Sequence, residues 1–175
     1  MQKYPNGTTP SVLLDELDLI MASYIDGHAR VRHPSRRQAK VGLPFLIEPS
    51  GDRFVAFFEN RQSFVDERFP YVTKIDGVPV EKLVEPLEAW VAKGSPQYQL
   101  RHKLRGVRDL GKARELSKIK PADLVRVELA NEQGDVLEMK LQVRDRTPIY
   151  GIWPRTESAG VGKIENNLGL SLIHI

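Results

Sequence analysis

The sequence predicts an α+β chain, and three observations carry that expectation. The first lies near the C-terminal end of the chain's patterned part. Val125, Val127 and Leu129 alternate with Arg126 and Glu128, and after Asn131 to Asp135 the residues Leu137, Met139, Leu141 and Val143 alternate with Glu138, Lys140 and Gln142. A period of two over both runs is that of a β-hairpin with one buried and one wet face per strand. The second lies at the opposite end, where Leu13, Leu17, Ile20 and Tyr24 recur at helical spacing, with Leu14, Met21 and Ile25 beside them. The third is a set of short apolar runs between Val41 and Val80, separated by glycine, proline and aspartate, which reads as strands and tight turns.

In order along the chain, Thr9-Pro10 fits an N-cap with proline at the first helical position, and Asp26-Gly27 fits the end of the helix it opens. His28 sits at that junction, and a basic segment, Ala29 to Lys40, follows with Pro34 barring a helix. Leu43 to Glu48 and Arg53 to Glu59 flank Pro49-Ser50-Gly51-Asp52 as a hairpin. Tyr71 to Ile75 is a third strand; Asp76-Gly77 suits a turn with positive φ, and Val78-Pro79-Val80 an edge piece. Glu81 to Lys93 reads as a helix that Pro86 splits or kinks, and residues 96–118 as a helical stretch with Leu100, Leu104 and Val107 opposite Arg101, Arg105, Arg108 and Lys112. Beyond Arg144 the pattern fades, and a further strand is expected only from Asn167-Leu168-Gly169.

Composition narrows the function classes. The 175 residues make one ordinary domain or two small ones; 41% are hydrophobic and 28% charged, which excludes disordered, collagen-like and coiled-coil chains. There is no cysteine, so neither a disulfide framework nor thiol chemistry is available, and four scattered histidines give no metal-ligand spacing. No phosphate loop, dinucleotide fingerprint or EF-hand loop occurs, so no cofactor and no metal are expected. No run approaches the ~18 apolar residues of a membrane span. Met1 to Pro10 is polar where a signal peptide has an apolar centre, so either the protein is not exported or its true start lies upstream of Met1.

Two stretches resemble a known family. Val41-Gly42-Leu43-Pro44-Phe45, opening a strand, resembles the Gly-Leu-Gly-Phe carboxylate-binding loop of PDZ domains, and Tyr71 to Val80 resembles the strand, turn and strand that precede a PDZ helix. Upstream, the helix running into Asp26-Gly27-His28-Ala29 resembles the N-terminal helical segment of the tail-specific and tricorn-type serine peptidases. The order of helical segment, PDZ-like domain and linker is similar to that family, over roughly residues 10–169. The resemblance implies a helical segment at 1–40, a PDZ-like small β-barrel or sandwich at 41–145 with a helical insertion at 96–118, and a linker at 146–169 into a missing α/β peptidase core. Leu170 to Ile175 resembles a translated sequencing-adapter end, which implies a non-native tail on a truncated chain.

The family's serine nucleophile and oxyanion amides lie in the later core domain, so the resemblance implies a serine endopeptidase as parent and a catalytically inactive fragment here. His28 matches the histidine that acts as general base in the tricorn-type branch. Gly27 stands where that branch has serine, so a Ser-Lys mechanism with a structural His28 stays open. In the PDZ-like part, Gly42, Leu43 and Phe45 would present backbone N–H groups to a peptide C-terminal carboxylate, while Leu46 and Ile47 add the peptide to the sheet edge. Pro44 removes one N–H from that loop.

The expected partner is therefore a polypeptide substrate or a peptide C-terminus, and family members are commonly extracytoplasmic. A stand-alone PDZ-like regulatory module without catalysis is the alternative. A third reading, nucleic-acid binding by Arg101, Arg105, Arg108 and Lys112, lacks the interleaved aromatic residues that stack on bases, and no nucleic-acid partner is expected. A solvated helix face, or one docking on the missing domain, accounts for that stripe.

Overall fold

A computed structural model describes residues 7–24, 26, 31, 41–59 and 61–144. His28, the body of the basic segment, the expected linker at 146–169, the strand expected at Asn167 and the tail at 170–175 lie outside the described residues. The architecture is α+β: four α-helices and a short 3-10 helix combine with a six-stranded antiparallel sheet.

Helix α1 spans Pro10–Ala22. Thr9 caps it, its Oγ1 accepting from the Val12 N–H at 3.4 Å, and Pro10 needs no partner for an N–H it lacks. The helix ends before Asp26-Gly27, at Ser23, whose Oγ donates to the Ile20 carbonyl at 2.7 Å. The expected apolar face is also turned: Leu14 and Ala22 are buried, while Leu13, Ile20 and Tyr24 are exposed. Spacing alone could not choose between two adjacent apolar stripes on one helix.

Strands β1 (Leu46–Ser50) and β2 (Arg53–Phe57) form the first hairpin, turning at Gly51-Asp52. It is shorter than expected, because residues 43–45 approach as an irregular loop and Glu59 lies past the end of β2. Strand β3 (Tyr71–Ile75) and the two-residue β4 (Val78–Pro79) enclose the Asp76-Gly77 turn, in which both residues have positive φ, +51° and +80°. That is the backbone an Asp-Gly hairpin turn favours.

The next helical stretch is split at proline, as expected: α2 is Val80–Val84, and a 3-10 helix runs Glu85–Trp90 with Pro86 in its first turn. Residues 96–118 form two helices, α3 (Pro96–Val107) and α4 (Leu110–Leu116), each begun by its own side-chain cap, Ser95 and Asp109. The final hairpin is β5 (Leu124–Ala130) and β6 (Val136–Gln142), paired in register from Leu124↔Gln142 to Ala130↔Val136.

The sheet order is β1-β2-β3-β5-β6, with β4 beside β3, so β1 and β6 are the two edges. The core lies between one face of the sheet and the helices: Phe45, Ile75 and Leu129 meet Leu83, Leu104 and Leu110 there, each fully buried. On β5 the alternation is as the sequence predicts, Val125, Val127 and Leu129 being buried beneath Arg126 and Glu128. On β6 the inner-face residues are only half-buried, and among the described residues no further strand pairs with that edge within 136–142.

Candidate functional site

The Gly42 to Phe45 loop is placed by the elements at its ends. Gly42 exchanges two main-chain hydrogen bonds with Arg144, at 2.6 and 3.0 Å, and the Leu43 N–H donates to the Arg108 carbonyl at 3.0 Å. These bonds fasten the start of β1 to the end of the last hairpin and to the C-terminal end of α3. They also use the N–H groups of Gly42 and Leu43 within the chain, and Pro44 has none. Of the donors the sequence reading assigns to a carboxylate, the Phe45 amide is left.

The side chains of this stretch are core. Leu43 and Phe45 are 0% exposed and Leu46 and Ile47 are 2% exposed, so any contact they make with a peptide is through the backbone. Strand pairing fixes where that backbone faces. Ala56 donates its N–H to Pro70 and accepts from Val65, so its polar groups point away from β1. Ile47 is paired with Ala56 and so is a non-hydrogen-bonded partner whose N–H and C=O point away from β2. Helix α3 packs against β1, and the side chain of Ile47 is part of the core beneath it.

An arginine cluster surrounds the loop, and sequence reasoning did not find it. Glu48 on β1 binds Arg61 through Oε1 at 2.7 Å and Arg101 of α3 through Oε2 at 3.3 Å. Glu59, just past β2, binds Arg108 through Oε1 at 3.2 Å and Arg144 through Oε2 at 3.0 Å. Four guanidinium groups thus share two carboxylates among the described residues. Arg108 is 2% exposed, and burial lowers its pKa to about 10 despite the adjacent Glu59. Its Nη2 bonds Glu59, while Nε and Nη1 are buried with no hydrogen-bond partner among the described residues.

This corrects the reading of the basic stripe as a solvated face or one reserved for a missing domain. Arg101 and Arg108 reach across to the first hairpin, and Lys112 binds Asp15 of α1 at 3.0 Å while lying 4.6 Å from the centre of the Trp90 ring. Helical spacing shows that such residues share a side; it does not show that acidic residues 49 and 53 positions away will meet them. Glu48 and Glu59, read as strand residues, gave no signal of their own.

A concavity of about 500 Å3 lies over the outer face of the sheet and is lined by Lys74, Gly77, Arg126, Glu128, Glu138 and Lys140 among others. Glu128 is held there by Thr73 Oγ1 at 2.6 Å and Lys74 Nζ at 2.9 Å, which together lower its pKa. Among the described residues no three His, Asp or Glu side chains are grouped to hold a metal ion, and no helix is long and apolar enough to cross a membrane.

A scan against protein-family models gives no match, and neither does a search of the curated proteins. Among solved structures the chain is similar to mature CPAF, at 22% identity over 59% of this chain with a TM-score of 0.40. It is also similar to mature CPAF complexed with lactacystin, at 21% identity over 59% of this chain with a TM-score of 0.41. The chain spans about a fifth of the length of these structures, 19% and 20%.

Proposed function

We propose that this chain is the polypeptide-recognising part of a serine endopeptidase, and that it takes a peptide at the outer edge of β1 with the peptide's terminal carboxylate at Arg108. The observation that carries the reading is Arg108 itself: a buried guanidinium beside the Gly42 to Phe45 loop, with two donors that bond nothing among the described residues. A carboxylate is the group a guanidinium binds best, and a fork on Arg108 pairs one of these two donors with the second N–H of Nη2, whose other N–H bonds Glu59. Arg144 shares Glu59 with Arg108, so two guanidinium groups stand at one carboxylate, and the outward N–H and C=O of Ile47 offer the main-chain bonds of strand addition. Arg108 would take over the part that the loop amides, spent on Arg144 and the Arg108 carbonyl, do not play. Arg108 and Ile47 are each 2% exposed, so a peptide must loosen the packing around them, and that cost makes binding modest.

The peptidase half of the reading rests on the order of motifs in the sequence, with His28 as general base toward a serine outside this chain. Gly42, Leu43, Phe45, Leu46 and Ile47 then serve as the scaffold of the binding edge.

The test screens the 175-residue chain against a pool of unstructured peptides with randomised free C-termini, then titrates the tightest binders calorimetrically as acids and as amides. The expected result is at least a tenfold loss on amidation, a difference that Arg108→Lys narrows and Arg108→Gln removes. Binding indifferent to amidation, or no binding, overturns it. Sequencing the native gene onward from codon 170 tests the parent: an open frame reaching a serine-bearing core supports the peptidase, and a genuine stop after Ile175 leaves a binding module.

A further inference from the structure

The β6 edge is not explained by any of this. It is seven residues long, contains no proline or glycine, and among the described residues pairs only with β5 over Val136–Gln142. An edge of that length is normally blunted by a bulge, a proline, a covering element or charged side chains, lysine above all. Here the outer-face charges are one of each sign, Glu138 and Lys140, and neither has an ion pair or hydrogen bond among the described residues. Their own cross-strand neighbours are like-charged: Glu138 lies opposite Glu128 and Lys140 opposite Arg126. Like charges directly opposite each other on a sheet are destabilising; Lys74 offsets this at Glu128, and no ion pair does so at Lys140 and Arg126 among the described residues.

We infer that β6 is the interface for a second copy of this chain, the two β6 strands pairing antiparallel about a two-fold axis at Met139. Three features select that arrangement. The hydrogen-bonding direction is correct: the Val143 N–H donates to the Asp123 carbonyl on the β5 side, so residues 137, 139 and 141 also face β5, and 136, 138, 140 and 142 present their N–H and C=O outward. An antiparallel pair centred on Met139 matches those outward groups to one another, Glu138 to Lys140 and Val136 to Gln142 of the second copy.

Charge then fixes the register. Centred on Met139, each Glu138 faces a Lys140 of the other copy, giving two opposite-charge pairs; centring on residue 138 or 140 would place identical charges face to face. The pairing also sets the two cations, Arg126 and Lys140, beside the two anions, Glu138 and Glu128, of the second copy, offsetting the like-charge contacts within each.

Burial agrees. On the inner face Leu137 would lie opposite Leu141 of the second copy, extending the apolar surface over residues that are only half-buried, with no further strand beside them among the described residues. Val136, 60% exposed, would be covered at the margin. A contact in which the same patch serves both copies is the isologous kind that closes as a dimer and does not propagate.

The experiment is sedimentation equilibrium of the 175-residue chain and of two single reversals, Glu138→Lys and Lys140→Glu, with circular dichroism to check that each is folded. Each reversal turns two opposite-charge pairs into two like-charge pairs, so each is expected to weaken self-association about tenfold or more. Mixed together, the two variants should associate as tightly as the parent, because one then presents only cations along this edge and the other only anions. A parent that stays monomeric as its concentration is raised overturns the inference. So does a dimer unmoved by either reversal, or a mixture no tighter than the separate variants. None of these outcomes bears on the β1 edge, so the inference stands or falls apart from peptide binding.

Discussion

Arg114 donates its Nε–H to Asp76 Oδ2 at 2.8 Å, joining α4 to the turn between β3 and β4. The other guanidinium donors go to the carbonyls of Ala122, at 2.6 Å, and Leu124, at 2.8 Å, and Asp76 Oδ1 accepts the Arg126 N–H at 3.1 Å. One ion pair thereby fixes the start of β5, the end of β3 and α4 against one another, with Arg114 only 2% exposed. Replacing Arg114 by Met is expected to cost about 3 kcal/mol, the usual result of leaving a buried charge and its carbonyl neighbours unpaired. Asp76→Asn should cost less, since the amide oxygen can still accept. Urea unfolding of both and of the double variant checks it, and the double should fall short of the sum.

Gly77 completes the same turn at φ +80°, with room for a Cβ, since the nearest atom is Arg126 Nη2 at 3.7 Å. The glycine is needed for its backbone and not for space. Gly77→Ala should therefore destabilise by about 1 to 2 kcal/mol through left-handed strain alone. Gly134, at φ +87° with nothing within 4 Å, should give a similar value. A clearly smaller loss at either would mean that the turn relaxes to a conformation alanine accepts.

Helix α1 shows what its sequence left undetermined. Proline at its first turn and the Thr9 cap located its start, since both act on the chain within a few residues. Which of two apolar stripes turns inward depends on what the helix lies against, here the 3-10 helix and Lys112 of α4. Leu14 is 8% exposed and Leu13 49% exposed. Leu14→Ala should cost about 2 kcal/mol and Leu13→Ala no more than about 0.5 kcal/mol, measured by thermal or urea unfolding. Equal losses would restore the stripe that spacing favours.

The same division runs through the rest of the molecule. Strands β5 and β6 were legible because alternation is local and the turn between them is short. The Asp76-Gly77 turn was legible because few other dipeptides adopt that backbone. The pairing of Glu48 and Glu59 with arginines of α3 was not, because it is made by the packing of distant segments and leaves no periodicity. The Gly42 to Phe45 stretch stands out by its residues, yet the use of two of its amides inside the chain depends on Arg108 and Arg144 arriving beside it.

Glu128 offers a test of the outer face by pH. Thr73 Oγ1 and then Lys74 Nζ hold its carboxylate, and both lower its pKa below the ordinary value of 4.5. A carboxyl depressed on folding contributes stability above its unfolded pKa, and that contribution is lost as the pH falls through the folded value. Compared with Glu128→Gln, which does not titrate, the parent should be more stable by a constant margin above about pH 5, and the margin should close progressively at lower pH. Urea midpoints of the two chains, taken at matched ionic strength from neutral pH downward, measure it. A margin that persists unchanged well below the carboxylate range, or widens there, would mean that the side chain acts by packing and not through its charge. At high salt the Lys74 part should shrink more than the Thr73 part, because an exposed ammonium is screened and a short hydroxyl bond is not.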